Sequence, residues 1–312
     1  MVAHSLSPEG GGGVALERRY DGIRVGILGG DRRELVVADR LAATGADVRA
    51  VGLPWPDAVS YTANRLEDVA AWADVLVAPV GGTDEVGHIA YTMVPAEEFP
   101  GPRLTEDVVG RMRAGTLLVI GSARPALESL CHRQGVRLVA YRERDEFAIL
   151  NSIPSAEGAI GMAMEAAAIT IHGSASTVLG HGRLGTVLAA MLRGLGAATT
   201  VVARSQAERA RATAAGHRAL AFARLGEVVA ASDLLFNTVP APVLPASILE
   251  RAGADLVLID LASAPGGTDF AAAKRLGLRA RLAPGLPGLV APRTAGRIEA
   301  DTVLSVLAEE LR

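Results

Sequence analysis

The chain has 312 residues, half of them hydrophobic but only 4% aromatic, a length and composition that suit two domains with aliphatic cores. Its net charge of −3, without a long basic run, argues against nucleic acid or an anionic membrane surface as partners, and no apolar run reaches the ~18 residues of a membrane helix. A single cysteine, Cys131, excludes an internal disulfide and fits a reducing cytoplasm.

Residues 1–20 contain the run Gly10–Gly13 and no apolar segment of the kind a signal peptide needs, so a flexible tail outside the fold is expected. Strand-like and helix-like segments then alternate, which predicts an α/β protein of two doubly wound, Rossmann-like parallel-sheet domains enclosing a cleft. In the first domain, 21–150, strands are expected at Ile23–Leu28, Asp47–Val51, Val75–Ala78, Thr116–Ile120 and Val136–Ala140. A helix is expected over Arg33–Ala43, and Cys131 belongs on a core-facing helix beside Leu127 and Leu130.

Two turns of this domain open helices and can hold an anion on backbone N–H groups: Gly29-Gly30-Asp31-Arg32-Arg33 and Gly121-Ser122-Ala123-Arg124-Pro125. Gly30, Asp31, Arg33 and Ser122 are therefore candidate ligand contacts, with ordinary strand–helix turns as the alternative. Arg144 is either a carboxylate clamp or the partner of Asp145 or Glu146. The loop Pro79–Pro102 with His88 is either a lid or a plain variable loop.

Asn151-Ser152-Ile153-Pro154 reads as the entry to a crossing segment, 151–172, with Ser155 as cap and a buried helix through Ala159–Ile171. Asn151 and Ser152 are then either ligand contacts at the cleft floor or helix-start caps.

The second domain, 173–293, opens with the most specific motif of the chain. Gly180, Gly182 and Gly185 form G-x-G-x-x-G directly after the apolar run Ser176–Leu179. A helical pattern follows at Leu184, Val187, Leu188, Met191, Leu192 and Leu195. That context marks a dinucleotide fingerprint, with Gly180, His181, Gly182, Arg183, Leu184 and Gly185 around the pyrophosphate. The next strand, Thr199–Ala203, ends in Arg204-Ser205 where an NAD enzyme usually carries an acid. A cation and a hydroxyl there favour NADP(H), with NAD(H) as the alternative.

Further strands are expected at His217–Leu220, Leu234–Asn237, Leu256–Ile259 and Arg279–Leu282. Ligands of doubly wound sheets bind at the carboxyl ends of strands, which adds Asn237, Thr238, Val239, Pro240, Leu261, Ala262, Ser263, Gly285 and Leu286 to the cofactor contacts. A last helix, Ala295–Leu311 within 294–312, is placed to return to the first domain. The scattered histidines and carboxylates show no metal-ligand spacing.

One series of short motifs goes further. It runs Gly29-Gly30-Asp31, Glu143-Arg144-Asp145, Asn151-Ser152-Ile153-Pro154, Thr170-Ile171-His172-Gly173-Ser174, Asp260-Leu261-Ala262-Ser263, Pro265-Gly266-Gly267-Thr268-Asp269-Phe270 and Ala283-Pro284-Gly285-Leu286-Pro287-Gly288. In order and spacing this series resembles the dipicolinate synthase A-subunit family of spore-forming bacteria, over roughly residues 20–312. The resemblance implies oxidation of a dihydrodipicolinate-type ring dicarboxylate to dipicolinate, with NADP as acceptor. It also implies a partner, the flavoprotein-like B subunit, and the mother-cell cytoplasm during sporulation as setting.

Such a substrate needs cationic or N–H partners for two carboxylates, which Gly30, Arg33 and Arg144 can supply from the first domain. Loss of its ring proton calls for a base or water, and Glu157, His172, Asp260 and Asp269 are the candidates. The competing readings are a shikimate-type or 2-hydroxyacid dehydrogenase and a cofactor-sensing regulatory subunit. The sole lysine, Lys274, weakens a lysine-based mechanism. A homodimer is the default assembly.

Overall fold

The computed structural model describes residues 19–53, 65–89 and 102–311. The expected tail falls almost wholly outside that range, as does the 90–101 part of the expected lid.

Five parallel strands, β1 (Arg24–Leu28), β2 (Asp47–Val51), β3 (Val75–Ala78), β4 (Leu117–Ile120) and β5 (Arg137–Ala140), form the first sheet in the order β2-β1-β3-β4-β5. Their central members are apolar and buried on both faces, as a parallel sheet covered by helices requires. Helices α1 (Arg32–Ala42), α2 (Leu66–Trp72), α3 (Glu106–Arg111) and α4 (Pro125–Arg133) connect them. Cys131 is buried in the core beside Leu127 and Leu130.

The chain then crosses on α5 (Asp145–Ala166). This helix starts earlier and stops earlier than the sequence suggests. Asp145 and Glu146 supply the acidic first turn that favours a helix start. Pro154 sits inside the helix rather than before it. Ser155 is no cap; its hydroxyl donates back to the Asn151 carbonyl at 2.9 Å, as Ser152 does to Ala148 at 2.7 Å.

The second sheet holds β6 (Ala175–Leu179), β7 (Ala198–Val202), β8 (Arg218–Leu220), β9 (Leu234–Asn237), β10 (Val257–Asp260) and β11 (Arg279–Leu282), ordered β11-β10-β9-β6-β7-β8 and all parallel. That is the dinucleotide-binding order, with its switch point between β6 and β9. Helices α6 (Arg183–Gly194), α7 (Gln206–Ala214), α8 (Leu225–Ala230), α9 (Ala246–Leu249), α10 (Phe270–Arg275) and α11 (Leu286–Val290) flank it.

The last helix, α12 (Pro292–Glu310), leaves this sheet and packs on α1 of the first domain. Gly296 makes the close approach possible: a Cβ there would lie 2.7 Å from Val36 Cβ and 2.8 Å from the Arg33 carbonyl. Ala300, Val303, Val306 and Leu307 join Val37, Leu41 and Phe147 in one buried cluster. Each of these Val, Leu and Phe side chains contributes about 1.5–3 kcal/mol on burial. Thus α5 and α12 tie the two sheets together and fix the cleft between their carboxyl edges.

Candidate dinucleotide and substrate cleft

A cavity of about 870 Å³ runs along the switch point of the second sheet. The fingerprint glycines line it, each for a separate reason. Gly180 has φ 91°, and a Cβ there would lie 2.6 Å from Thr238 Oγ1. A Cβ at Gly185 would lie 2.3 Å from the Gly180 carbonyl oxygen, so α6 packs against the turn only because that position is glycine. A Cβ at Gly182 would meet nothing within 4 Å; the space beside it is open.

Helix α6 starts at Arg183 with no side-chain cap on its N-terminal N–H groups. Open space, uncapped donors and the positive end of the helix together fit a pyrophosphate. Leu184 and the 238–240 segment close the wall, where Thr238 Oγ1 donates to the Leu179 carbonyl at 2.7 Å.

The far end of this cavity is bounded by Arg204, Glu208 and Phe222. Ser205 is not on the wall. It caps α7, accepting from Glu208 N and donating to Glu208 Oε2 at 2.9 Å. Arg209 is likewise engaged, through the carbonyls of Ala203 and Arg204. Exposed Arg204 is therefore the cation at the end of β7 that faces the cavity. His181, 5% exposed, has no hydrogen-bond partner on either ring nitrogen among the described residues. Burial lowers its pKa, and the charge of Arg211 adds to that.

The cleft continues toward the first domain as a space of about 410 Å³ between the 261–263 and 283–287 segments and the ends of β3 and β5. Leu261, Ala262, Ser263, Gly285 and Leu286 form one wall. The opposite wall carries two cations, Arg33 and Arg142, and no carboxylate among its described lining residues.

Arg33 is 5% exposed. Its Nε and Nη2 donate to Asp31 at 2.8 and 2.7 Å. Burial works against its charge, but the bonds to Asp31 and the proximity of Glu299 and Glu34 outweigh that and raise its pKa above the usual arginine value. Arg142 extends across the cleft, its Nη2 donating to Ser263 Oγ at 3.1 Å. Asn151 and Ser155 line both parts of the cleft, and Ser152 lines the nucleotide part. Asn151 Oδ1 is buried there without a partner among the described residues.

Several expected contacts lie elsewhere. Arg144 does not line the cleft; Glu309 of α12 takes both its terminal nitrogens, at 2.9 and 2.6 Å, and Glu146 stands nearby. Gly30 is turned inward, where a Cβ would overlap the Glu34 carboxyl group. Asp31 is the buried cap of α1 and partner of Arg33. Ser122 is half-buried, with its backbone against Gly82, and is not among the residues that line the cleft.

Among the proposed bases, Glu157 is exposed on α5, away from the cleft lining. His172 is exposed before β6, at the amino edge of the sheet and against Gly196. Asp260 is fully buried and accepts four hydrogen bonds, from Asn237 Nδ2, Ala262 N, Gly267 N and Thr268 Oγ1, at 2.6–3.0 Å. It shapes the 261–268 loop. Asn237 serves the same structure, holding the Val239 backbone as well. Asp269 caps α10, accepting from Ala272 N at 2.8 Å. His88 is held by Asp84 at 3.2 Å and lies outside the cleft lining.

The sequence reading missed Arg142, Phe147, Ser155, Glu208 and Phe222. Arg142 carried a usable signal: it follows β5 at the carboxyl edge, the ligand side of a parallel sheet. Among the described residues no group of three or more His, Cys, Asp and Glu can hold a metal ion. Nor is any described helix long and apolar enough to cross a membrane.

Comparison with known proteins places this geometry. Residues 24–142 match the family model of the N-terminal domain of the dipicolinate synthase A-subunit. Residues 156–261 match that of the NAD-binding domain of D-isomer-specific 2-hydroxyacid dehydrogenases. The dipicolinate synthase A-subunit of Bacillus subtilis is 37% identical over 291 residues, covering 92% of this chain and 97% of its own. The crystal structure of the dipicolinate synthase A-subunit from Bacillus halodurans superposes with a TM-score of 0.84 at 36% identity, over 92% of this chain and 98% of that one. The crystal structure of its Bacillus subtilis counterpart gives a TM-score of 0.81 at 35% identity, over 93% and 97%.

Proposed function

Because the chain belongs to the dipicolinate synthase A-subunit family, we propose that it is an NADP-dependent dehydrogenase that oxidises a dihydrodipicolinate-type ring dicarboxylate to dipicolinate. The observation that carries this reading is the charge of the inner cleft. Two arginines and no carboxylate, among the described lining residues, face the wall opposite the fingerprint domain. A dianion is the ligand that such a space complements, since buried carboxylates must be paired.

When bound, the dinucleotide accepts a hydride from the ring. The chain's own residues do the rest. Arg33 and Arg142 hold the two carboxylates, and Asn151 offers Oδ1 to a ring N–H or hydroxyl. Leu184, Leu261 and Leu286 exclude water around the reacting carbon. Oxidation to the aromatic ring also releases one proton. Among the described lining residues of the inner cleft no Asp, Glu, His or Lys stands ready to take it, so it passes to water.

NADP(H) is favoured over NAD(H) by Arg204 at the end of β7, where no acid stands to repel a 2′-phosphate. Glu208 also bounds this end, but its carboxylate is turned onto Ser205 N and Oγ. Within the family's organisation the chain works beside a flavoprotein-like B subunit, in the mother-cell cytoplasm of a sporulating bacterium.

The test is direct: purified protein, dihydrodipicolinate and NADP⁺, followed by the absorbance of the reduced nicotinamide. Turnover supports the proposal. Tight NADPH binding without turnover, with or without the B subunit, would make the chain a cofactor-sensing regulatory subunit instead.

A further inference from the structure

Behind Arg33 lies a layer of ionisable groups shut off from solvent. Glu34 on α1, Glu299 on α12 and Tyr141 after β5 are each 0% exposed, and Asp31 is 1% exposed. The backbone is shaped around them. A Cβ on Gly30 would lie 2.2 Å from the Glu34 carboxyl carbon, and one on Gly288 would lie 2.4 Å from Asp31 Oδ2.

The hydrogen bonds in this layer do not close if every acid is ionised. Glu34 Oε2 accepts from the Asp31 N–H, and Glu299 Oε1 accepts from the Tyr141 hydroxyl. Glu34 Oε1 and Glu299 Oε2 remain, both buried and without a donor among the described residues. The helices that carry them, α1 and α12, pack on each other, and this sets the two carboxyl groups within reach of one another's charge. If both were ionised, neither of these oxygens would have a donor, whereas a proton on one carboxyl supplies a donor for the other.

We propose that Glu34 and Glu299 share one proton, and that this proton sets the charge behind Arg33, making the pair a positioning element for a substrate carboxylate. Asp31 and Arg33 cancel, so the protonated pair leaves a single negative charge in the layer. Loss of the proton adds a second negative charge directly behind the arginine meant to hold an anion. The environment retains the proton. Burial, Glu299 and Asp31 push the Glu34 pKa well up against the opposing effect of Arg33. Burial also raises that of Glu299, against Arg33 and the Tyr141 hydrogen bond. The charged and titratable groups facing the pair are thus Asp31, Arg33 and Tyr141.

The role toward substrate rests on the proposed function; the shared proton does not, and two measurements separate them. Infrared spectra of the full chain at neutral pH should show the C=O stretch of a water-shielded protonated carboxyl group. Glu299→Gln and Glu34→Gln should each abolish it, because a glutamine amide donates permanently where the proton was. A wild-type protein without that band, or a band that survives in both variants, overturns the shared proton.

Calorimetry of dipicolinate binding in the presence of NADPH reads the second part. Wild-type Kd should rise about tenfold as alkaline pH strips the pair, from the added like charge near the site. Both variants should lose that rise, since the retained carboxylate has no proton to release. An unchanged alkaline rise in a folded variant overturns the link to Arg33. A protein that binds no dipicolinate at any pH overturns the functional reading and the pair's role in it, while the infrared band still decides on the proton.

Discussion

Arg142→Ala is the sharpest test of where the substrate sits. The Arg142 side chain is exposed within the cleft and spans it to Ser263 Oγ at 3.1 Å. A hydrogen bond to a charged group contributes about 1.5–3 kcal/mol, and an exposed guanidinium belongs at the lower end because water screens it. About 1.4–2 kcal/mol converts to a fall in kcat/KM of roughly 10- to 30-fold. The loss should appear mainly as a higher KM, because a carboxylate remote from the reacting carbon is held equally in ground and transition states.

Arg33→Ala is a poorer probe. Arg33 is buried against Asp31, and stripping a buried pair of one partner costs about 3–5 kcal/mol of stability, so binding and folding would fall together. The informative control is Arg144→Ala, two residues along. Its guanidinium is spent on Glu309 and Glu146, so it should loosen α12 and lower Tm slightly while kcat/KM holds. Steady-state kinetics with dihydrodipicolinate and thermal melts of the same preparations decide the matter. Unchanged kinetics for Arg142→Ala, or an equal loss in Arg144→Ala, would refute this placement of the substrate.

The fingerprint makes a paired prediction. Gly182→Val should abolish NADPH binding in calorimetry yet melt like the wild type, because its side chain fills open cavity; Gly185→Ala should lower Tm, because its Cβ meets backbone at 2.3 Å. Arg204→Asp should weaken NADPH by about 1.5–3 kcal/mol and leave NADH nearly unaffected; equal wild-type affinities for the two would sink the NADP assignment. Burial lowers the pKa of both His181 and His217, so the unfolded chain takes up protons that the native one refuses. Their contribution to stability is complete above the ordinary histidine value of about 6.5 and is lost as pH falls through the lowered native values. The fall in Tm from pH ~8 to ~5 should be shallower in the His181→Leu, His217→Leu double variant, and an identical slope would contradict the burial argument.

What the sequence made legible follows the range of the interactions concerned. The fingerprint depends on glycines within six residues of one another and on the strand and helix beside them, so it reads directly. Arg142 and Arg144 are two residues apart with equal composition signals. A glutamate on α12 captures Arg144 and leaves Arg142 in the cleft, a decision made by a contact between positions 144 and 309. The segment through Pro154 reads as the entry to the crossing helix, yet Pro154 sits inside α5 four residues after Leu150, which is 47% exposed. The partner that the Leu150 carbonyl loses to proline is thus lost near water. Asp260 ends β10 at the carboxyl edge, but Asn237 of β9 and three donors from its own loop occupy its oxygens, contacts that only the folded loop makes. His172 was avoidable. It precedes β6, and ligands of such sheets gather at the carboxyl ends. The Glu34–Glu299 pair was out of reach, since it exists only once α12 returns to α1.

The cleft is bridged by its own residues, and magnitudes decide what ligands do to those bridges. Arg183 at the start of α6 reaches over to the Glu143 carboxylate at 2.8 Å and its carbonyl at 3.1 Å, while Arg142 reaches back to Ser263. Both arginines also line the cavity, so a pyrophosphate and, on the proposed function, a dicarboxylate would compete with these cross-links for the same guanidinium groups. The Arg183–Glu143 pair is exposed, with side-chain exposures of 38% and 77%, and such pairs contribute about 0–1 kcal/mol. A charge-assisted bond to phosphate or carboxylate in the enclosed cleft contributes about 1.5–3 kcal/mol, so the exchange favours the ligand. Domain orientation does not depend on the bridges, because α5 and α12 hold it through buried contacts such as Ala156, Ala159, Ala300 and Val303. On the proposed function the arginines would therefore trade partners over a fixed frame, and the cost of binding would fall on side-chain rearrangement rather than on reorienting a domain.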